Sequence, residues 1–417
     1  MRSDISGFYK LAVEERLSLI KEAAKLSDEE AEILRKTGAL ELKIADVMIE
    51  NVIGTQELPL GIAMNFVING RDYFIPMSIE EPSIVAGASN AAKLCRPEGF
   101  IAEGGEPLMI GQIQVVGAKN SHAVKKILEA KEELLAIAEQ SNPGLKSHGG
   151  GAKDIEAYEI DSIRGKMIVV NLTANVSDAM GANIINTMCE FLGPKIEELS
   201  GGRTVLKIVT NLATKRLAKA RAVWKKDVIG EDAIEGVLDA YAFALADHHR
   251  CSTHNKGIMN GIDAVALATA QDFRALEAAA HSYAAIGGRY KPLTKYYKNE
   301  NGDLAGEIEL PVPAGIVGGA TKTSPVAKIA LKILGVSSSK EFAQVLAAVG
   351  LAQNFAALKA LSTEGIQAGH MKLHAKNLAI AAGAQESEIE HASGQMICEK
   401  NISAERAKGI LDEMRKR

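Results

Sequence analysis

Apolar and polar positions alternate in different ways along this 417-residue chain, and the changes mark out its elements. Ser27-Asp28-Glu29-Glu30 has capping-box spacing, so a helix should open there and stop near Gly38. Gly61 to Ile68 and Asp72 to Met77 are largely apolar, β-rich runs. They are joined through Asn69-Gly70, a pair suited to a two-residue hairpin turn. Pro82 suits a first helical turn and predicts a small-residue helix to about Leu94.

From Leu108 the pattern changes. Leu108 to Val116 reads as a strand, His122 to Glu139 as an amphipathic helix, and Asp154 to Ile160 and Lys166 to Asn171 as two strands. Ala179 to Leu192 reads as a helix and Thr204 to Thr210 as a strand. That order, β-α-β-β-α-β, predicts a ferredoxin-like unit inserted into a larger domain. After about Ala213 helices return, at Asp232 to Ala246, Ala264 to Ala285 and in Ala/Leu-rich segments to Leu361. A hairpin interrupts them, Leu293 to Tyr297 with Gly306 to Leu310. The expected fold is α+β: a large, mostly helical domain (1–107 and 214–364), an inserted ferredoxin-like cofactor-binding domain (108–213) and a C-terminal helical flap (365–417).

Composition narrows the classes. Hydrophobic residues are 47% and charged residues 24%, a globular balance. A net charge of −4 with no basic stripe, and only 4% aromatic residues, argue against nucleic acid as a partner. The N-terminus lacks a signal-peptide layout, and no uninterrupted apolar run approaches the roughly 20 residues of a membrane span. Cys95, Cys189, Cys251 and Cys398 are scattered, with no CxxC pair. The expectation is a cytoplasmic protein with neither a disulfide scaffold nor a metal site.

Several stretches bear chemistry. His254-Asn255-Lys256-Gly257-Ile258-Met259-Asn260-Gly261 reads as a turn of amides and glycines around a lysine. An ammonium partly desolvated there polarises a carbonyl strongly, and Asp272 is placed to set its direction. The alternative is a loop lysine in an ordinary ion pair. Glu80-Glu81-Pro82-Ser83 offers two carboxylates, of which one at most faces a given site; the alternative is a surface charge pair. Arg250 suits a bidentate grip on a substrate carboxylate, or a plain salt bridge. Ser177-Asp178-Ala179-Met180-Gly181-Ala182-Asn183 opens a helix that Asp178 should cap, with small residues allowing a ligand close to the amides. No GxGxxG follows a strand, so a Rossmann site has no support. Gly318-Gly319-Ala320-Thr321-Lys322-Thr323 fails Walker A spacing and suits a close-packed turn. His370 and His374 share a helical spacing but lack the glutamate of HExxH, which favours a general acid at His370 over a zinc ligand.

Taken in order, Glu50-Asn51-Val52-Ile53-Gly54, Glu80 to Val85, Asp178 to Asn183, His254 to Gly261, Gly318 to Thr323 and Gly369-His370-Met371 closely resemble class II 3-hydroxy-3-methylglutaryl-coenzyme A (HMG-CoA) reductase. The resemblance implies four-electron reduction of HMG-CoA to mevalonate and coenzyme A, with two NAD(P)H and hemithioacetal and mevaldehyde intermediates. That is the reversible step of the mevalonate route to isoprenoids. It implies Glu81, Lys256, Asp272 and His370 as catalytic residues. Ser83, Arg250 and Asn260 fall at hydroxymethylglutaryl positions, and Glu50, Asn51, Val52, Ile53 and Gly54 on the coenzyme A side. Asn142, Asp178, Met180, Gly181, Asn183 and Asn211 fall at nicotinamide-cofactor positions. It also implies a homodimer with shared active sites, closed by the flap. Two positions depart from the family pattern. NAD-preferring relatives carry an acidic residue where this chain has Asn142-Pro143-Gly144, followed by Lys146 and His148, which leans towards NADPH with NADH also used. Where relatives place an arginine for coenzyme A phosphates, the chain reads Tyr9-Lys10.

Overall fold

Ser27 and Glu30 do form the capping box: the Ser27 hydroxyl accepts from the Glu30 amide at 3.1 Å, and the Glu30 carboxylate accepts from the Ser27 amide at 2.7 Å. The computed structural model describes residues 2–119, 122–363 and 366–415, with side chains at all of these except 366–373. Helices α1 (Val13–Ala24), α2 (Asp28–Arg35) and α3 (Leu42–Ala45) precede the first hairpin, β1 (Leu60–Ile68) and β2 (Arg71–Ser78). Asn69 and Gly70 turn it with φ of 50° and 78°. Both signs suit a turn that matches the strand twist.

Helix α4 (Ile84–Leu94) starts two residues later than Pro82 suggests. Ser83 holds its N-cap position with φ 74°, a left-handed conformation unusual for serine. Strand β3 (Phe100–Gly104) then leads to β4 (Leu108–Val116). The expected helix over 122–139 is two helices, α5 (Ala123–Glu129) and α6 (Lys131–Gln140), followed by the short α7 (Pro143–Ser147). Next come β5 (Gly151–Ser162), β6 (Gly165–Asn175), α8 (Ala182–Ser200) and β7 (Arg203–Val209). These four strands form one antiparallel sheet in the order β5-β6-β4-β7. Its core is separate, built on Ile113, Leu134, Val170, Ile185 and Leu192.

Strand β8 (Leu217–Trp224), where a helical return was expected, begins the second half. Its alternation places Ala218, Ala220, Ala222 and Trp224 inward and Lys219, Arg221 and Val223 outward. After α9 (Lys226–Ile229), α10 (Glu231–Ala246), α11 (His248–Ala268) and α12 (Phe273–Ala285) comes the expected hairpin, β9 (Thr294–Lys298) and β10 (Leu304–Pro311). The six-stranded sheet runs β2-β1-β3-β8-β10-β9.

Helices α13 (Ala320–Thr323), α14 (Pro325–Leu334) and α15 (Ser339–Ser362) follow. Helix α15 is long and apolar enough to cross a membrane, but two-thirds of its most apolar stretch is buried inside the protein. Its Phe355 stacks on Trp224 with ring centroids 3.9 Å apart. The chain ends in α16 (Ile366–Ala381), α17 (Glu386–Cys398) and α18 (Ala404–Arg415), which share a small core around Met396 and Ile410. The whole is a mixed α+β chain.

Candidate active site

The stretch read as a turn around Lys256 is the middle of a 21-residue helix, α11. Asn and Gly signalled a loop, yet Asn255 and Gly261 have packing roles that override weak helix propensity. Asn255 is fully buried: its amide donates to the Lys291 carbonyl at 2.9 Å, and its carbonyl accepts from the Leu293 amide at 3.0 Å. A Cβ on Gly261 would stand 2.8 Å from the Gln353 Cβ, so glycine lets α15 close on α11. Ile258, Met259, Ile262 and Val265 then enter the main core. Asp247 caps the helix, its carboxylate accepting from the Arg250 amide at 2.8 Å.

His254 is sealed at this junction. Its Nε2 meets the Thr294 hydroxyl at 2.6 Å, and Thr294 in turn donates to the Asn354 side-chain oxygen. Burial, followed by the Arg250 charge, pushes His254 down to about 3. The imidazole is therefore neutral and structural.

On this rigid backbone Lys256 points outward. Its Nζ lies 3.1 Å from Glu81 Oε2, an ion pair between residues 175 positions apart. The lysine side chain is 60% exposed, so in the single chain it is not desolvated, and the pair contributes little stability. Asn260 and Asp263 follow on the same stripe, within about 60° of Lys256 at 100° per residue. Arg250 stands about 120° away by the same count and so lies off that stripe. Burial holds its guanidinium below the ordinary range.

Asp272 caps α12: its carboxylate accepts from the Ala275 amide at 3.1 Å and pairs with Arg274 at 3.1 Å. Within one chain it forms no ion pair with Lys256. Gln271, beside it, accepts from the Gly315 amide at 3.0 Å, which leads to the 177–183 stretch. Here a second expectation changes. Asp178 does not cap α8, whose N-cap is Gly181 with φ 101° and no side-chain cap. Instead the Asp178 carboxylate accepts from the Ser339 amide at 2.7 Å, at the start of α15, and its carbonyl accepts from Ile316 at 2.8 Å. Buried Arg216, unmarked in the sequence, donates to the carbonyls of Ala179, Met180 and Ala314. Burial lowers it to about 10, with the Asp178 charge opposing. A Cβ at Gly315 would stand 2.7 Å from the Asp178 carbonyl, so the two backbones cross at a point that admits only glycine.

The α8 terminus has no side-chain cap, and Asn183 in its first turn and Asn211, beyond the following strand, are exposed. Met180 is half-buried. Asn142 is the N-cap of α7. Lys146 pairs with Glu139 at 2.6 Å, and the His148 Nδ1 lies 2.8 Å from the Gly144 carbonyl. Glu50 to Gly54 is irregular, with Ile53 fully exposed and Asn51 at φ 57°. Lys10 sits over the exposed Tyr9 ring, 5.7 Å from its centroid. The His370 side chain lies outside the described residues.

A profile of hydroxymethylglutaryl-coenzyme A reductase matches residues 12–375. The 3-hydroxy-3-methylglutaryl-coenzyme A reductase of Archaeoglobus fulgidus is 57% identical over 418 residues, spanning 100% of this chain and 95% of that protein. The probable reductase of Borreliella burgdorferi is 36% identical, over 79% of this chain and 77% of that one. A solved structure of the class II 3-hydroxy-3-methylglutaryl-CoA reductase from Streptococcus pneumoniae, bound to NADPH in open conformations, is similar with a TM-score of 0.82 and 40% identity. It covers 97% of this chain and 100% of that chain. The class is therefore that of oxidoreductases that take reducing equivalents from a nicotinamide cofactor. The chain belongs to the hydroxymethylglutaryl-coenzyme A reductase family, and its reaction is the reduction of HMG-CoA.

Proposed function

We propose that Lys256, Glu81, Asp272 and His370 together carry the reduction of HMG-CoA to mevalonate and coenzyme A. One observation supports this most: the Lys256–Glu81 pair, 3.1 Å between side chains from distant parts of the chain. The nicotinamide cofactor supplies the hydride for each reduction. Lys256 stabilises negative charge as it develops on the carbonyl oxygen. Glu81, hydrogen-bonded to the same ammonium, delivers a proton to the mevaldehyde oxygen, and His370 protonates the departing thiolate of coenzyme A. Ser83, Arg250 and Asn260 hold the hydroxymethylglutaryl group, and the segment from Glu50 to Gly54 lines the coenzyme A side.

Asp272 acts across a homodimer in this reading. Its lack of an ion pair with Lys256 inside one chain, and the exposure of Lys256, fit a site that a second copy completes. The 108–213 segment is the ferredoxin-like cofactor domain, and residues 365–417 are the flap. Asn142, Asp178, Met180, Gly181, Asn183 and Asn211 contact or shape the cofactor site; Asp178 acts through its backbone position, since its carboxylate is already engaged. Support for the α8 terminus comes from its lack of a side-chain cap and the exposed Asn183. NADPH is preferred weakly, because Lys146 already pairs with Glu139 and NADH stays usable. The NADPH-bound pneumococcal relative agrees with that leaning. The buried thiols of Cys95, Cys189 and Cys251 suit the cytoplasm.

The test is NAD(P)H absorbance with purified protein and HMG-CoA, repeated with each cofactor. Oxidation dependent on HMG-CoA is expected. A folded protein that oxidises neither cofactor removes the assignment.

A further inference from the structure

Past Lys256, α11 ends on a turn at Ala270, whose φ is 52°. The Ala270 amide donates to the Leu267 carbonyl at 3.2 Å and the Gln271 amide to the Ala266 carbonyl at 2.8 Å, the paired bonds of a Schellman stop. Glycine is the usual residue there, and a left-handed alanine persists only where its surroundings over-determine it. Gln271 supplies that constraint. Its Nε2 donates to the Thr269 carbonyl at 3.2 Å, and its Oε1 accepts from the Gly315 amide at 3.0 Å. Its own carbonyl accepts from the Phe273 amide at 3.0 Å, across Asp272. Gly315 in turn is where this segment crosses another. A Cβ on it would stand 2.4 Å from the Met180 nitrogen and 2.7 Å from the Asp178 carbonyl. Beyond the crossing, the Ile316 and Val317 amides donate to the Asp178 carbonyl at 2.8 and 3.3 Å, and Val317 pairs with Ala179 in a parallel bridge. A continuous path thus runs from Asp272 through Gln271 and Gly315 to 178–180, and its side-chain link is Gln271.

We propose that Gln271 is a positioning residue that couples the substrate and cofactor sites, by tying the turn that carries Asp272 to the loop that opens α8. This rests on the reading of Asp272 as catalytic and of 178–183 as cofactor-facing. The crossing at Gly315 is close-packed, so a shift of 178–180 moves Gly315 with it. The Gly315 amide passes that shift to Gln271, whose second bond holds the end of α11 and whose backbone continues into Asp272. Cofactor and HMG-CoA therefore each order a joint that the other needs ordered, and binding of one favours the other. Without the Gln271 amide both ends keep their local anchors, Arg216 on the Ala179 and Met180 carbonyls and the Asp272 cap on α12. Each is then ordered on its own, and the coupling is lost while the fold remains.

The experiment titrates HMG-CoA into the full-length protein by calorimetry, with and without saturating NADP+. NADP+ has no hydride to give, so HMG-CoA binds beside it without turnover. In the wild type NADP+ should tighten HMG-CoA binding at least about fivefold, the lower end of ordinary coupling between sites. Gln271→Met, similar in length but without the amide, should reduce that factor to below about twofold. Gln271→Glu keeps an acceptor for the Gly315 amide and should restore most of the factor, a rescue that a merely packed side chain would not show. No effect of NADP+ on the wild type, the wild-type factor in Gln271→Met, or equal loss in both variants overturns the proposal. Hydrogen exchange on the wild-type protein needs no variant to fold. NADP+ alone should slow exchange across 266–275, and HMG-CoA alone across 312–317; a protein that binds both ligands with neither effect refutes the link. The underlying readings fail differently. Near-normal turnover in Asp272→Ala removes the catalytic carboxylate, and unchanged NADP+ affinity in Asn183→Ala removes the cofactor loop.

Discussion

Lys256 and Asp178 are held in opposite ways. The backbone beneath Lys256 is buried and tied by Asn255, Gly261 and His254, while its side chain extends into solvent with one ion pair. Asp178 lies in a loop, but its carboxylate, its carbonyl and the neighbouring carbonyls are all taken by other elements. The first arrangement gives a charged tip freedom to follow a changing substrate from a fixed base. The second spends the polar groups of a loop on fixing the entrance of α8 against the start of α15. In the proposed roles, a catalytic charge and a ligand-facing backbone thus demand rigidity at different levels, below the side chain in one case and within the main chain in the other.

Lys256→Ala tests the first half and should have the largest effect. Turnover should fall about 10²–10³-fold or more, the range for lost oxyanion stabilisation, with the thermal midpoint nearly unchanged because the ion pair is exposed. A large drop in melting temperature would show that the lysine also supports the fold.

Arg216→Met probes the other half. It leaves the carbonyls of Ala179, Met180 and Ala314 without their shared donor, at about 1–3 kcal/mol for each buried group left unmade. Denaturant unfolding should register several kcal/mol, and KM for the cofactor should rise more than KM for HMG-CoA. Equal changes in both would mean the clamp is purely architectural.

His254 sharpens the contrast through pH. Its folded value, about 3, lies below the ordinary 6.5, so the unfolded chain takes up the proton first. The stability it contributes is complete above about pH 6.5 and is lost progressively as pH falls towards 3. Melting temperatures between pH 7 and 4 should decline less steeply in His254→Gln than in wild type.

The smallest effect is expected at the turn proposed to meet the cofactor. Glu139→Gln frees Lys146, and the ratio of kcat/KM for NADPH over NADH should rise about two- to fivefold, the scale of one exposed ion pair. An unchanged ratio would remove Lys146 from cofactor discrimination.

Legibility in the sequence followed locality. The Ser27 cap, the Asn69-Gly70 hairpin and the Leu108–Val116 strand depend on neighbours in the chain, and each was readable to within a residue or so. Strand β8 was not, because an alanine alternation resembles a helix until β3 and β10 are beside it. Asn255 and Gly261 looked like loop chemistry because their partners, Lys291 and Leu293 for the first and Gln353 of α15 for the second, lie far along the chain. In the same way Asp178 looked like a cap for the helix that follows it, whereas its partner is Ser339. Lys256 and Glu81 do meet, but family likeness and not spacing drew them together. Arg216 carries no motif at all; only burial and its partners identify it.

Helix α15 has one further consequence, for the order in which the protein is made. Its packing partners β3, α4, α10, α11, β8 and β10 all precede it in the chain. When this apolar helix leaves the ribosome, most of the described surface that will cover it has already been synthesised. The segment most prone to aggregate is thus the one that waits least for its neighbours.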